Sequence, residues 1–357
     1  MQTRRSFMQA TAAAATFPTT SWAAAGAPTH LSAARKTDGS YHLVGLRGDG
    51  RIAFTQPLPG RGHAAAAHPD RAEAVAFARR PGTFALVLEC SEGTVLQRLH
   101  APEGRHFYGH GAFSRDGRRL YTTENEIETG AGRIGLWDAS NEYRRLGELS
   151  SNGIGPHEII RLPGTDTLAI ANGGIRTHPD TGREKLNLDT MQPNLALMSA
   201  EGEILEAAEL PAPLHQNSLR HIAGFNDGRV ACAFQWQGDV YASPSIVGLY
   251  TPGVGLQLLE MDSGFLYGLD GYAGSIATVG GNQIGITFPR GGVAQIIDLK
   301  RETSKILRRA DICGIARANQ DALATDGLGG VQRIDAGGTT TLAQHPLAFD
   351  NHLIAIG

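Results

Sequence analysis

His110-Gly-Ala-Phe-Ser-Arg-Asp116-Gly117-Arg-Arg-Leu-Tyr121 is answered further along the chain by His221-Ile-Ala-Gly-Phe-Asn-Asp227-Gly228-Arg-Val-Ala231. In both, a histidine stands six residues before an Asp-Gly turn, and an apolar strand follows. His157 keeps the spacing with Pro163-Gly164 as its turn, and His63 precedes Asp70 by seven residues. Weaker copies place Ser275 ahead of Gly281-Asn282 and Cys313 ahead of Asn319-Gln320, and His352 opens a last copy at the end of the chain. Each full copy runs on into two further strands, such as Arg133–Asp138 and Arg144–Leu149 after His110. Four short strands in each ~40–50-residue unit are the pattern of a β-propeller blade.

Seven such units imply an all-β fold, a seven-bladed β-propeller. The final copy has one strand, while three strands near Leu31–Arg35, Tyr41–Leu46 and Arg51–Phe54 precede the first histidine. Joining the C-terminal strand to the three N-terminal ones completes a seventh blade and leaves no open edge around the ring. Composition agrees: 46 of 357 residues are glycine, well above the roughly 7% of average proteins, as many tight turns require. A formal charge of -3 with no basic run argues against a nucleic-acid groove. Three widely spaced cysteines without a CxxC pair argue against a zinc ribbon or a disulfide scaffold.

The first residues read as an export address. Arg4-Arg5 followed by Phe7, the weakly apolar run Ala10–Phe17 and Ala23-Ala24-Ala25 have the order of a twin-arginine signal over 1–25. That leaves a periplasmic propeller domain over 26–357, and no later segment has the ~20 apolar residues of a membrane span.

An innermost propeller strand runs beside the central channel, so residues at its start lie on the channel rim. The expectation is a partial ring of His63, His110, His157, His221 and His352, with Ser275 and Cys313 in the other two blades. Neutral imidazole suits iron, copper and zinc, so the ring is a candidate transition-metal site to which Cys313 could add a thiolate. The competing reading is structural, with each histidine hydrogen-bonded between blades.

Loops after the second strand of each blade share that face. They offer Arg79 and Arg80 for an anion or for an ion pair with Glu124, and Glu124 and Glu126 as hard oxygen donors. The roughly 20-residue connection 172–191 adds His178 and Arg183 as a candidate lid, and Trp236 can wall a ligand or pack the blade. Glu158 and Arg220, each next to a rim histidine, complete the channel-mouth set. No Gly-x-Ser-x-Gly elbow or identifiable triad appears, so no catalytic residue is assigned and a binding role is favoured over an enzyme.

The stretches Phe77–Gly82, Tyr108–Ser114, Leu120–Asn125, Gly153–Glu158, Asn172–Ile175 and Lys185–Met191 resemble a bacterial family known as domain of unknown function 1513. That resemblance implies a periplasmic seven-bladed propeller accompanying iron-responsive uptake systems, hence iron or copper as the ion and a periplasmic or membrane protein of such a system as partner, with the propeller itself a monomer. A weaker similarity to phosphogluconolactonase-type propellers makes a lactonase built on His157, Glu158 and Arg220 the alternative. Gly155-Pro156 leads straight to His157 here, without that family's intervening arginine. A metal-free protein-interaction scaffold is the third reading.

Overall fold

The computed structural model describes residues 20–79, 83–182, 184–335 and 338–356. Alternation of buried and exposed positions, interrupted by turns, produces seven four-stranded antiparallel sheets. The innermost strands are Gly62–Ala67, Arg105–Phe113, Pro156–Arg161, Asn217–Gly224, Ser275–Val279, Ile312–Ala318 and Leu347–Ala355, of blades one to seven. Each packs beside the next, and the seventh packs beside the first, closing the ring.

The turns behave as their residue types demand. In blade two the Ser114 amide donates to the Arg119 carbonyl, Asp116 Oδ1 accepts from the Arg118 amide, and Gly117 takes φ 68°. In blade four the Phe225 amide donates to Arg229, with Gly228 at φ 85°. These are left-handed positions that glycine occupies without a Cβ penalty.

Closure follows the expected strand count. Leu347–Ala355 pairs with His30–Lys36, which pairs with Tyr41–Leu46, which pairs with Ile52–Leu58. Hydrophobic side chains fill the space between neighbouring blades. Phe77 of blade one packs with Phe107, Phe113 and Trp137 of blade two, and Phe234 of blade four with Phe288 of blade five. Among the described residues, no helix is long and apolar enough to cross a membrane.

The proposed signal lies mostly outside the described residues, but its last part does not. Thr20–Ala25 packs on blade one: the Ala72 amide donates to the Thr20 carbonyl, Ser21 bridges Arg71, and Trp22 Nε1 donates to the His68 carbonyl at 2.8 Å. Ala25 itself is in the core. A boundary after Ala25 cuts through this packing. A chain beginning at Gly26 is therefore expected to be about 1–3 kcal/mol less stable than one beginning at Thr20, given the apolar area that Trp22 and Ala25 bury. Urea denaturation of the two chains measures the difference.

Candidate functional site

Strand pairing gives way at the residues that matter most. In blade one the ladder jumps between Gly62 and Ala65, around His63, and in blade two between Phe107 and Gly111, around His110. Blade three jumps across His157, blade four between Leu219 and His221, and blade six around Cys313. In the closing blade the register slips from Leu353 to Phe349, passing over His352. Only blade five, which has Ser275 in place of a histidine, pairs its innermost strand without a break. A bulge detaches a residue from the ladder and re-aims its side chain. Here the bulges turn five imidazoles toward the channel axis.

The rings converge. Centroids of His63 and His352 lie 4.4 Å apart, His110 and His352 4.6 Å, and His157 and His221 4.8 Å. His110 has all four other rings within 6.1 Å. Ligand nitrogens of His63, His110 and His157 lie within 4.8 Å of one another, and so do those of His110, His221 and His352. Three nitrogens about one tetrahedral Zn-like ion stand about 3.4 Å apart, so either trio must draw in by up to about 1.4 Å, a matter of side-chain rotation, to share one ion.

His110, His221 and His352 lie well inside their strands and are buried, His63 and His157 stand near their strand starts and are half-buried, and all but His110 line the cavity above. Burial pushes the His110 imidazole down to about 4, against a smaller opposing pull from Glu158. It also lowers His157 and His352 well below the ordinary histidine value, with neighbouring imidazoles and arginines adding to the effect. All three are neutral at pH 7, as metal ligation requires. His110 Nε2, His157 Nδ1 and His352 Nε2 are buried with no hydrogen-bond partner, a cost of about 1–3 kcal/mol each when nothing binds them.

Glu158 stands behind this cluster. Its carboxylate oxygens lie 3.6 Å from His110 Nδ1 and 3.4 Å from His221 Nδ1, and accept the Ile222 amide at 2.8 Å. Burial alone would raise its pKa, but His221, His110 and that amide hold the carboxyl below the usual range. A carboxylate so placed favours the proton on Nδ1 of both rings and leaves Nε2 as the donor atom, the arrangement common behind metal-bound histidines.

Above the imidazoles opens a cavity of about 510 Å³. Arg79, Arg220 and Trp236 line it, as the sequence suggested. Lys185, Tyr272 and Arg290 line it too and were not singled out. Arg290 could have been found, because it follows the second strand of blade five just as Arg79 follows that of blade one. Lys185 belongs to the long connection, which reaches the cavity through Ile175, Thr177 and Lys185.

Several expected members lie elsewhere. The Cys313 thiol points at the Thr325, Phe349 and Asp350 carbonyls at 3.5, 3.7 and 3.4 Å, burial raises its pKa, and it does not join the imidazoles. Glu124 is buried inside blade two, where Arg145 clamps it at 2.7 and 2.8 Å, so it offers no oxygen to the mouth and no partner to Arg79. Arg79 pairs instead with Asp350 at 2.8 Å. Glu126 is held by Arg105 at 2.9 Å, and His178 caps a single 3-10 turn through the Asp180 amide; neither lines the cavity. Arg80 and Arg183 lie outside the described residues.

Gly109 makes the crowding possible. It sits at φ 103°, and a Cβ there would lie 2.6 Å from His63 Cδ2. Gly109→Ala is expected to cost about 1–3 kcal/mol through backbone strain and to shift the His63 ring resonances, read by denaturation and NMR. Acid should act on the metal-free protein with a defined sign. The unfolded chain protonates its histidines near pH 6.5, whereas folded His110, His157 and His352 stay neutral to much lower pH. Stability is therefore full above about pH 6.5 and falls as pH drops toward 4, by about 1.4 kcal/mol per pH unit for each such histidine. Urea midpoints at pH 7.5 and 5 test this.

Comparison with known proteins supports the architecture. A hydrazine synthase chain from Kuenenia stuttgartiensis superposes with TM-score 0.61 at 14% identity, covering 95% of this chain and 99% of that one. The structure of U3-55K superposes with TM-score 0.60 at 13% identity, covering 83% of this chain and 85% of that one. At such identities the likeness is one of fold. No curated protein matches the chain. The profile of a family described as "Protein of unknown function (DUF1513)" matches residues 56–356.

Proposed function

The chain belongs to this DUF1513 family, and we propose that it is a metal-handling propeller that binds one transition-metal ion, iron or copper, among its channel histidines. The convergence of five imidazoles on one axis, with His110 Nε2 and His352 Nε2 buried and otherwise unbonded, carries the reading. A purely structural histidine would spend both ring nitrogens on backbone or side-chain partners; these do not.

Neutral imidazoles are borderline donors that favour iron, copper or zinc over calcium or magnesium. Glu158 supplies one negative charge behind the donors without taking a coordination position. Its engagement by His110, His221 and the Ile222 amide argues against its use as a lactonase acid or base facing the cavity. We place the protein in the periplasm, exported through the Arg4-Arg5 signal, as a binding or delivery component that passes its ion to a protein partner.

Elemental analysis of protein purified from the periplasm tests the proposal. Stoichiometric iron or copper is expected in the wild type. His110→Ala and His352→Ala should retain less than about a tenth of it with unchanged circular dichroism, since losing one ligand or its support typically costs 10–100-fold in affinity. Added metal at 100 times its dissociation constant should stabilise the wild type by about 2.7 kcal/mol and leave the variants unmoved. Wild-type protein that carries no metal and is not stabilised by iron, copper or zinc would end the proposal.

A further inference from the structure

The cavity over the imidazoles has a charge that does not suit a bare cation. Arg79, Lys185, Arg220 and Arg290 line it, and among the described residues no aspartate or glutamate does. Acidic groups outside the lining face some of them: Asp350 lies 2.8 Å from Arg79 and Asp270 2.6 Å from Arg290. Lys185 Nζ donates to the neutral Gln237 Oε1 at 2.5 Å. Burial lowers its pKa, and the charges of Arg220 and Arg290 lower it further, which records the positive field of the mouth. Like charges held this close repel an approaching divalent cation, and a cleft focuses that field. A site meant only to admit a free metal ion would be lined the other way.

Shape and surface chemistry point the same way. A lone ion occupies a small fraction of about 510 Å³, a volume in the range of small-molecule pockets. Trp236 and Tyr272 give the cavity flat apolar walls, the guanidinium of Arg290 stacks over the Tyr272 ring at 4.3 Å, and Asn351 Nδ2 donates to the Tyr272 hydroxyl at 3.0 Å, fixing that ring. Guanidinium and ammonium groups around a preformed, partly apolar hollow are the standard recognition set for carboxylates.

We infer that this cavity binds a small polycarboxylate, whose carboxylates engage Lys185, Arg220 and Arg290 while one oxygen reaches the imidazole-held ion, so that metal and organic anion are bound together. The inference rests on the metal reading only for that last contact; the anion subsite stands on the mouth alone. The anion neutralises the mouth, and the ion then enters as part of a chelate of low or negative charge.

The test uses the full-length mature protein and citrate, with tricarballylate, which lacks the hydroxyl, and inorganic phosphate as comparison anions. Isothermal titration of metal-free protein with citrate should give saturable binding that weakens with added salt. Lys185→Ala, in an exposed stretch of the loop, should weaken it about 10-fold and Arg290→Ala similarly, whereas Arg118→Ala, on an exposed turn outside the cavity, should leave it unchanged. Metal-loaded protein should bind citrate more tightly than metal-free protein, and more tightly than tricarballylate.

Citrate binding to metal-free protein that never retains metal would keep the anion subsite and overturn the metal reading. Stoichiometric metal on protein that binds none of the three anions would do the reverse. Tighter binding of phosphate than of either carboxylate, or equal losses in Lys185→Ala and Arg118→Ala, would also overturn the inference.

Discussion

Five imidazoles can crowd one channel only because hydrogen-bonded pairing of the innermost strands is surrendered at each of them. A regular ladder alternates its side chains between the two faces of a blade, which would send these rings into the spaces between blades. The bulges at His63, His110, His157, His221 and His352 replace that alternation with a common inward aim. The ladder is unbroken at Ser275, whereas the break recurs at Cys313, so the bulge belongs to the blade design and the histidines make use of it. Everything else at the site, from the position of Glu158 to the need for glycine at 109, follows from having these rings so close together.

Charge is arranged in layers around the same axis. At the bottom a single buried carboxylate, Glu158, faces two Nδ1 atoms. Above it lie rings kept neutral by burial, and above those a rim of guanidinium and ammonium groups. Negative, neutral and positive layers in this order set up a field that favours negative groups at the entrance and a cation in the middle. A ligand carrying both signs fits that profile better than a simple ion of either.

The repeats made the architecture readable, because Asp116-Gly117 and Asp227-Gly228 fix turns by local chemistry and the histidine offset fixes where each innermost strand begins. The five histidines could be assigned to the channel for the same reason. What could not be read is side-chain direction inside a blade. Glu124 stands two residues along its strand from Thr122, on the same face, and pairs with Arg145 within the blade, a contact set by a neighbouring strand and invisible to local pattern. Cys313 occupies a bulge like its histidine counterparts, yet a short thiol next to the Thr325 and Asp350 carbonyls packs against backbone and cannot span the distance an imidazole covers. Lys185 was hidden because a long loop folds back by contacts of its own, such as the Asn187 side chain bonding to the Arg176 amide and the Gly174 carbonyl.

One histidine lies on the strand that locks the ring. His352 is contributed by Leu347–Ala355, and that stretch finds its place by pairing with His30–Lys36, far earlier in the chain. The complete set of rings thus exists only once these two distant strands have met. Any occupant that needs the full set cannot be captured before the ring has closed, so its uptake reports ring closure.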